Sequence, residues 1–385
     1  MIEVVLLFLA LSFGLHVAMA NLGIGLSTII PILKKRGEEE NKEIFVNASK
    51  ELMRFYVSIY ALAGVFGTAF TVFLLSFYPG FIGLAGHITF TPFAIAILAI
   101  VLHFFAITAY WYGWDKWDRR THYYVGLLLL VSVYLIPLGF RAVSAFLNTP
   151  YGLELEPKPH LNVAEALTNP TFAPLYLKSI FAALSATFFA IASGYAYRYM
   201  KRGDENSLEI VRTFMPYATA TLMIALLFGA IYAATLYAYV PYKFSNAFGR
   251  DVWMFGVKVI AIAIQLYAVY VFRAYVKRGV NEKMGVIVYS GPAALIGVFA
   301  GEMLNSFSQY PYFVAKLGEA EFVSAIPEPA RSSLAEVLTM TNLNQLTQLP
   351  SLYVITLMFL VPLLVAAAFF LYLILFAEER RELPE

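Results

Sequence analysis

The chain has 385 residues, 60% hydrophobic and 14% charged, with a formal net charge of +2 and a mean hydropathy of +0.71. Such an apolar composition is too extreme for a water-soluble core, so it predicts a polytopic membrane protein. The absence of cysteine excludes disulfides, iron–sulfur clusters and thiolate-ligated haem, and no strongly basic patch indicates nucleic acid as a partner.

Hydropathy along the chain predicts nine membrane-spanning helices in a single domain over residues 1–385. Each apolar stretch is long enough to cross roughly 30 Å of hydrocarbon in the lipid bilayer. The fold class that follows is all-α and polytopic. The predicted spans, in chain order, are Val4–Leu33, Phe55–Tyr78, Thr91–Trp114, Tyr123–Leu147, Phe172–Tyr199, Met215–Val240, Val252–Val276, Val286–Tyr310 and Ser351–Phe376.

Lysine and arginine predict the orientation of these spans. The connection at 79–90 has no basic residue, and the fourth connection has only Lys158. Basic residues concentrate in the alternate connections, after spans one, three, five and seven: Lys34, Lys35, Arg36, Lys42, Lys50 and Arg54; Lys116, Arg119 and Arg120; Arg198, Lys201, Arg202 and Arg212; Arg273, Lys277, Arg278 and Lys283. By the positive-inside rule we expect the N-terminus outside and the C-terminus in the cytoplasm, in a multi-pass protein of the cell membrane.

Several ionisable side chains fall inside the predicted spans. His16 lies roughly 18 Å from the outer end of the first span, near the bilayer midplane, and His103 lies equally deep in the third. Charged groups in a bilayer are costly, so they usually face the helix bundle and pair. Four others, which we expect to form one polar site, share a level in the outer third: Arg141, Lys178, Lys258 and Glu302.

The face of the first span around His16 has two interpretations. Ser12, His16, Met19 and Gly23 recur at helical spacing on one side. Small residues let a planar macrocycle approach, and an imidazole nitrogen is a common haem ligand. The same pattern also suits close helix packing, with the histidine bridging two helices or relaying protons. The pattern alone leaves both open.

Four stretches resemble subunit I of cytochrome bd-type oxidases. YGWDKWDRRTH, closing the third span, is similar to that family's Gly-Trp-Asp segment and following histidine, and LHVAMANLGIGL resembles its first helix. The segments 167–197 and 336–351 resemble its fifth helix and the stretch before its ninth. The nine spans and their orientation match as well, so the resemblance covers nearly the whole chain.

The resemblance implies roles for individual residues. His16 falls on the position of the helix-one histidine that ligates a haem of the oxygen-reducing pair, which implies a high-spin haem b with His16 on its iron and Met19 beside it. Ser306 occupies the family's helix-eight carboxylate position. Glu302, one turn earlier, either ligates haem at a shifted depth or pairs with a cation. His103 replaces a helix-three glutamate associated with proton delivery, so His103 and Glu302 are the catalytic candidates.

Other family positions are lost. Lys178 stands at the helix-five histidine and Ile260 at the helix-seven methionine that together ligate the low-spin haem, whereas Lys258 keeps the basic residue nearby. Neither a protonated lysine nor an isoleucine offers iron a lone pair, so we expect no low-spin haem. The connection Pro241–Asp251 is too short for the family's quinol-binding loop, so we expect no quinol site in this chain.

The resemblance implies a subunit of a quinol:oxygen oxidoreductase complex that reduces dioxygen to water. The losses favour a companion chain beside a complete subunit I homologue, a second membrane subunit that would bind the quinol. The alternative is a haem-bearing, oxygen-reducing subunit fed by another donor, which His16 favours. A transporter, which buried charges and Gly-interrupted helices also suit, is the outside alternative.

Overall fold

The computed structural model of the chain describes residues 2–77, 87–154 and 160–328, together with positions 331, 354, 358, 361 and 365. Within these residues, 8 helices are long and apolar enough to cross a membrane. They are α1 (Ile2–Glu39), α2 (Glu43–Phe77), α3 (Phe90–Tyr112), α4 (Arg119–Asn148), α6 (Phe172–Arg202), α7 (Glu205–Tyr239), α9 (Val252–Ala274) and α10 (Met284–Phe307).

Short elements connect the long helices. Between α4 and α6 lie a two-stranded antiparallel ribbon, β1 (Leu153–Glu154) with β2 (His160–Leu161), and the helix α5 (Val163–Leu167). The helix α8 (Pro241–Phe248) joins α7 to α9, and α11 (Ala320–Ala325) follows α10. The predicted ninth span, Ser351–Phe376, falls outside the described residues apart from four isolated positions.

Helix boundaries follow local chemistry. The Asp118 carboxylate accepts hydrogen bonds from the backbone N–H groups of Arg120 and Thr121, both at 3.1 Å, and so caps the start of α4. Gly203 ends α6 in the left-handed region, at φ 67°, and the side chain of Asp204 caps α7 immediately afterwards. The chain therefore reverses between α6 and α7 within two residues.

The helices α1 and α6 form the centre of the bundle. The helix α1 packs along α2 and also contacts α4, α6 and α10, whereas α6 packs against α7 and α10. Gly25 of α1 lies so close to α6 that a Cβ there would fall 2.1 Å from Thr187 Oγ1, and one at Gly14 would fall 1.9 Å from the Phe299 ring of α10. Small residues on α1 therefore permit close helix packing.

The long helices alternate in direction, which gives the bundle two chemically different ends. We call the end at which α1, α3, α6 and α9 finish the basic end. Interhelical contacts join its connections, such as Lys50 Nζ to Asp115 Oδ2 at 2.9 Å and Arg198 to Glu51. We call the end at which α4 and α10 finish the opposite end. Which end faces the cytoplasm stays a prediction.

Candidate functional site

The buried charges predicted to share one level centre on an ion pair between α4 and α10. Arg141 donates from Nη1 to Glu302 Oε2 at 2.9 Å and from Nη2 to Glu302 Oε1 at 2.8 Å. The two side chains are only 14% and 8% exposed. A bidentate pair of this kind fixes the relative position of two helices as well as neutralising charge. The pairing of Glu302 with a cation is thereby confirmed.

Two lysines approach this pair from other helices. The buried Lys178 of α6 places its Nζ 5.2 Å from the centroid of the Tyr232 ring. Lys258 of α9 reaches the backbone of α10, with its Nζ 3.6 Å from the position that a Cβ at Gly301 would occupy. Both ammonium groups lie close enough to act electrostatically on the Glu302 carboxylate. The structure therefore brings the four predicted charges into one cluster near the opposite end.

A third lysine, which the sequence analysis did not single out, completes the cluster. Lys243 of the short helix α8 is 1% exposed and donates to Asn148 Oδ1 at 2.6 Å and to Asn305 Oδ1 at 2.9 Å. The Tyr232 hydroxyl donates to the same Asn305 oxygen at 2.7 Å. Burial, reinforced by the charge of Lys178, lowers the pKa of Lys243 well below its usual value. We call the set Arg141, Lys178, Lys243, Lys258 and Glu302 the charge cluster.

Ile260 is not part of the charge cluster. Its side chain is 63% exposed on the outer face of α9, whereas Lys258 on the same helix turns towards α10. The resemblance places axial haem ligands at Lys178 and Ile260. Lys178 is buried among cations, whereas Ile260 lies on the outer surface of the described bundle.

His103 of α3 is fully buried within a chain of hydrogen bonds across the first four helices. The Ser27 hydroxyl donates to the Tyr56 hydroxyl at 2.6 Å, and that hydroxyl contacts His103 Nε2. On the other side of the ring, Nδ1 lies 2.7 Å from Ser132 Oγ, which itself donates to the Leu129 carbonyl at 3.0 Å. These directions require a neutral imidazole with its proton on Nδ1.

The series of hydrogen bonds through His103 can serve two purposes, proton transfer and the positioning of helices. Each hydroxyl both donates and accepts, and the imidazole accepts at Nε2 and donates from Nδ1, so a proton can pass along this series of hydrogen bonds. The same bonds also hold α1, α2, α3 and α4 in register. His103 stands out in the sequence but Ser27, Tyr56 and Ser132 do not, since hydroxyl side chains carry no charge penalty that would single them out in a span.

His16 lies where α1 meets α2. Its Nδ1 is 2.8 Å from the Ala63 carbonyl, and a Cβ at Gly67 would fall 2.7 Å from the ring. Beside it, Met19 is buried in the hydrophobic core, and Gly23 faces Tyr56. Among the described residues, Nε2 has no hydrogen-bond partner. The imidazole therefore bridges two helices through one nitrogen, and the other nitrogen has no partner in the described part of the chain.

The sequence motif around His122 forms a separate group at the basic end. Lys34 Nζ lies 2.9 Å from His122 Nδ1, and Nε2 donates to the Tyr110 carbonyl at 3.0 Å. Lys34 also lies 4.5 Å from the Trp114 ring centroid. In the neighbouring turn, the hydrogen bond from Lys50 lowers the pKa of Asp115. These contacts anchor the connection between α3 and α4 to α1 and α2.

The predicted site residues therefore occupy three places. None of the hydrogen bonds or ion pairs among the described residues links His16, His103 and Glu302 directly.

Comparisons with known proteins agree on one family. The family model for cytochrome bd terminal oxidase subunit I matches residues 7–251. A putative cytochrome bd menaquinol oxidase subunit I of Bacillus subtilis (strain 168) is 24% identical over 252 residues, which are 62% of this chain and 55% of that relative. The chain thus matches little more than half the length of this relative.

A solved structure extends the likeness to the whole fold. The bd oxidase from Geobacillus thermodenitrificans superposes with a TM-score of 0.78 over 99% of this chain and 99% of that chain, at 18% identity. The similarity includes the helical membrane architecture, and together with the match to the family model it identifies a multi-pass protein of the plasma membrane. Since the family model covers well over half of its residues, the chain belongs to the cytochrome bd terminal oxidase subunit I family, as a divergent member.

Proposed function

We propose that the chain is a membrane subunit of a cytochrome bd-type complex that oxidises quinol and reduces dioxygen to water. Within that complex it is the companion of a complete subunit I homologue, which binds the quinol. Its N-terminus lies outside and its C-terminus in the cytoplasm. The observation that carries the companion role is the charge cluster, because it occupies the region where the family resemblance places a low-spin haem.

The residues present do not fit a low-spin haem. Lys178 stands at one axial position, buried beside the Arg141–Glu302 pair, and Ile260 stands at the other with an exposed hydrocarbon side chain. Two lone pairs on opposite faces of the iron are needed, and isoleucine supplies none. The ion pair and the hydrogen bonds of Lys243 instead link α4, α8 and α10 directly.

The connection between α7 and α9 supports the same proposal. It consists of the eight-residue helix α8, whose Lys243 is turned into the bundle. A helix of this length, tied down by a buried side chain, leaves no extended loop in which to hold a quinol headgroup. Electrons from quinol would therefore enter through the partner.

Haem content and co-purification test this function. The chain is expressed alone and together with a candidate partner, a complete subunit I homologue from the same genome, and both preparations are assayed by pyridine haemochrome and by quinol oxidation. We expect co-purification, and we expect the isolated chain to show neither a sharp six-coordinate haem b band nor quinol oxidation. Quinol oxidase activity of the isolated chain, or failure of the two chains to associate, would contradict the companion role.

The geometry of His16 favours a second candidate, a haem-bearing subunit fed by another electron donor. With Nδ1 held by the Ala63 carbonyl, Nε2 is left for an iron ligand, and a fixed second nitrogen is typical of metal-binding histidines. A haem at this position would supply the site of dioxygen binding and reduction. His16 would hold it, with Met19 on the same helical face, and the chain through His103 would carry protons.

A single variant separates the two candidates. In His16→Ala, a haem-ligating histidine predicts the loss of one haem per chain. A bridging histidine predicts unchanged haem content and lower thermal stability, because the Ala63 carbonyl loses its donor. Haem count and melting temperature are measured on the same preparation. If the chain is a companion that binds no haem, His16→Ala must leave the haem content unchanged and lower the thermal stability.

A further inference from the structure

A groove separates α7 and α9 at the basic end of the bundle. These helices make few contacts with each other, because α9 packs along α10 instead. The groove has a volume of about 750 Å³. Its apolar wall is formed by Pro216, Ala220 and Met223 of α7, together with Phe272 of α9.

The mouth of the groove is cationic. Arg273, Lys277 and Arg278, from the last turn of α9 and the turn after it, line it and are all exposed. No carboxylate among the described residues pairs with any of the three, although most other basic side chains at this end have acidic or aromatic neighbours. A second recess of about 440 Å³, on the other side of α9, shares Arg273 and Arg278 and continues over Leu266 and Val269.

Apolar walls below a group of unpaired cations suit a phospholipid, which has apolar acyl chains and an anionic headgroup. Acyl chains suit the space between α7 and α9, and a phosphodiester suits paired guanidinium groups, which bind oxyanions through two parallel hydrogen bonds. The recess on either side of the two arginines gives room for more than one acyl chain. Lysine and arginine predict that this end faces the cytoplasm, where anionic lipids attract basic residues close to the membrane surface.

We propose that the groove between α7 and α9 is a binding site for an acidic phospholipid, with its phosphate held by Arg273, Lys277 and Arg278. The lipid fills the gap that direct packing of α7 on α9 would otherwise close. It thereby couples α9 to α7 at the basic end, where α9 otherwise packs mainly on α10. The site is independent of haem and of the companion role.

Lipid retention tests the site on the complex purified from membranes in detergent. Native mass spectrometry counts the lipids bound to the wild type, to Arg273→Gln/Arg278→Gln and to a matched control, Arg54→Gln/Arg119→Gln, which removes two exposed charges at the same end away from the groove. We expect phosphatidylglycerol to be retained by the wild type and the control. In the groove variant its affinity should fall on the order of 30-fold, since each basic residue near the surface contributes about 1 kcal/mol.

A second variant tests the acyl-chain part of the site without touching the charges. Ala220→Phe places a ring in the groove and should displace the lipid while all three cations remain. Added phosphatidylglycerol should raise the melting temperature of the wild type, whereas phosphatidylcholine and inorganic phosphate should not. Equal effects of phosphatidylcholine, equal effects of free phosphate, or full lipid retention by both groove variants would each overturn the proposal, the last because the retained lipid would then lie outside the groove.

Discussion

Arg141 and Glu302 lie 161 residues apart in the chain and meet through two hydrogen bonds of 2.9 and 2.8 Å inside the bundle. The pair joins α4 directly to α10, two helices that are also connected through α1, α6 and Lys243 of α8. Lys178 and Lys258 add positive charge around the same carboxylate. Glu302 is therefore the one acidic group of the charge cluster, and Arg141, Lys178 and Lys258 converge on it.

Removal of that carboxylate should be costly. In Glu302→Gln the buried guanidinium and its neighbouring ammonium groups lose their counter-charge, and we expect a loss of about 3 kcal/mol in unfolding free energy. Thermal or denaturant unfolding in detergent measures it. The exposed pair Lys35–Glu39, at 3.7 Å, provides the control, since Glu39→Gln should cost under about 1 kcal/mol.

A double variant distinguishes charge from packing at the same site. Arg141→Met/Glu302→Leu removes both partners and keeps comparable volume, so stability should return to within about 1 kcal/mol of the wild type if the single loss came from an orphaned charge. A double variant as unstable as Glu302→Gln would show that the hydrogen bonds themselves hold α4 to α10.

Because of Lys243, we expect the free energy of unfolding to change with pH up to the alkaline range. Because its pKa in the folded protein is far below its pKa in the unfolded chain, the unfolded state binds the extra proton between these two values. Stability therefore rises with pH across that window, by at most about 1.4 kcal/mol per pH unit for one group, and levels off above the usual lysine pKa. A neutral amine still has two N–H donors for Asn148 and Asn305.

Lys243→Met tests this dependence. Melting temperatures of the wild type and the variant are compared from pH 7 to pH 10. The variant should have the shallower pH profile, whatever its constant offset from the lost hydrogen bonds. Parallel profiles would mean that Lys243 stays protonated in the folded protein.

The hydrogen-bond chain through His103 should be structural if the companion role is right. Tyr56→Phe removes the central hydroxyl and should lower unfolding free energy by about 1–3 kcal/mol, since Ser27 and His103 lose a buried partner. Quinol oxidase turnover of the complex should not change. Tyr60→Phe is the control, because its hydroxyl makes only a 3.4 Å contact with the Ile100 carbonyl.

Turnover that falls in Tyr56→Phe but not in Tyr60→Phe, at unchanged haem content, would place the chain on a proton path. That result would favour the oxygen-reducing candidate over the companion.

Close packing between α1 and α6 predicts that even one added methyl group at Gly25 destabilises the protein. Gly25→Ala forces a methyl group into Thr187 and should cost about 1–3 kcal/mol. Gly64→Ala on α2 meets nothing within 4 Å, and we expect no loss, or a gain of up to about 1 kcal/mol from helix propensity. Melting temperatures of the two variants in the same detergent decide it. Equal effects would mean that α1 and α6 can separate without penalty.

The sequence predicts the membrane helices among the described residues well but underestimates the length of several of them. The second predicted span begins at Phe55, whereas α2 begins at Glu43. Hydropathy detects only the apolar part of a helix, and the polar turn of α2 that carries Ser49 and Lys50 continues the same helix beyond it. Helix length outside the bilayer depends on caps and interhelical contacts that a hydropathy window does not contain.

The charged residues of the charge cluster that lie within apolar spans could be predicted from the sequence. Lys243 and the hydrogen-bond partners of His103 could not. Arg141 and Glu302 stand out because a charge in an apolar span is costly. Lys243 does not, since it lies in a connection where lysine is ordinary. Whether its side chain points inwards depends on how α8 docks onto α4 and α10, which is a tertiary property. The hydroxyl partners of His103 depend in the same way on helix rotation.

The separation of Arg141 from Glu302 also bears on how the protein is made. At synthesis rates of about 5–20 residues per second, α4 is complete roughly 8–30 s before Glu302 leaves the ribosome. During that interval the guanidinium has no carboxylate to pair with. Arg141 lies only seven residues from the end of α4, so its long side chain can reach the headgroup region while it waits. The Arg141–Glu302 pair can therefore form only after α10 has been synthesised, so the contact between α4 and α10 is a late step in assembly of the bundle.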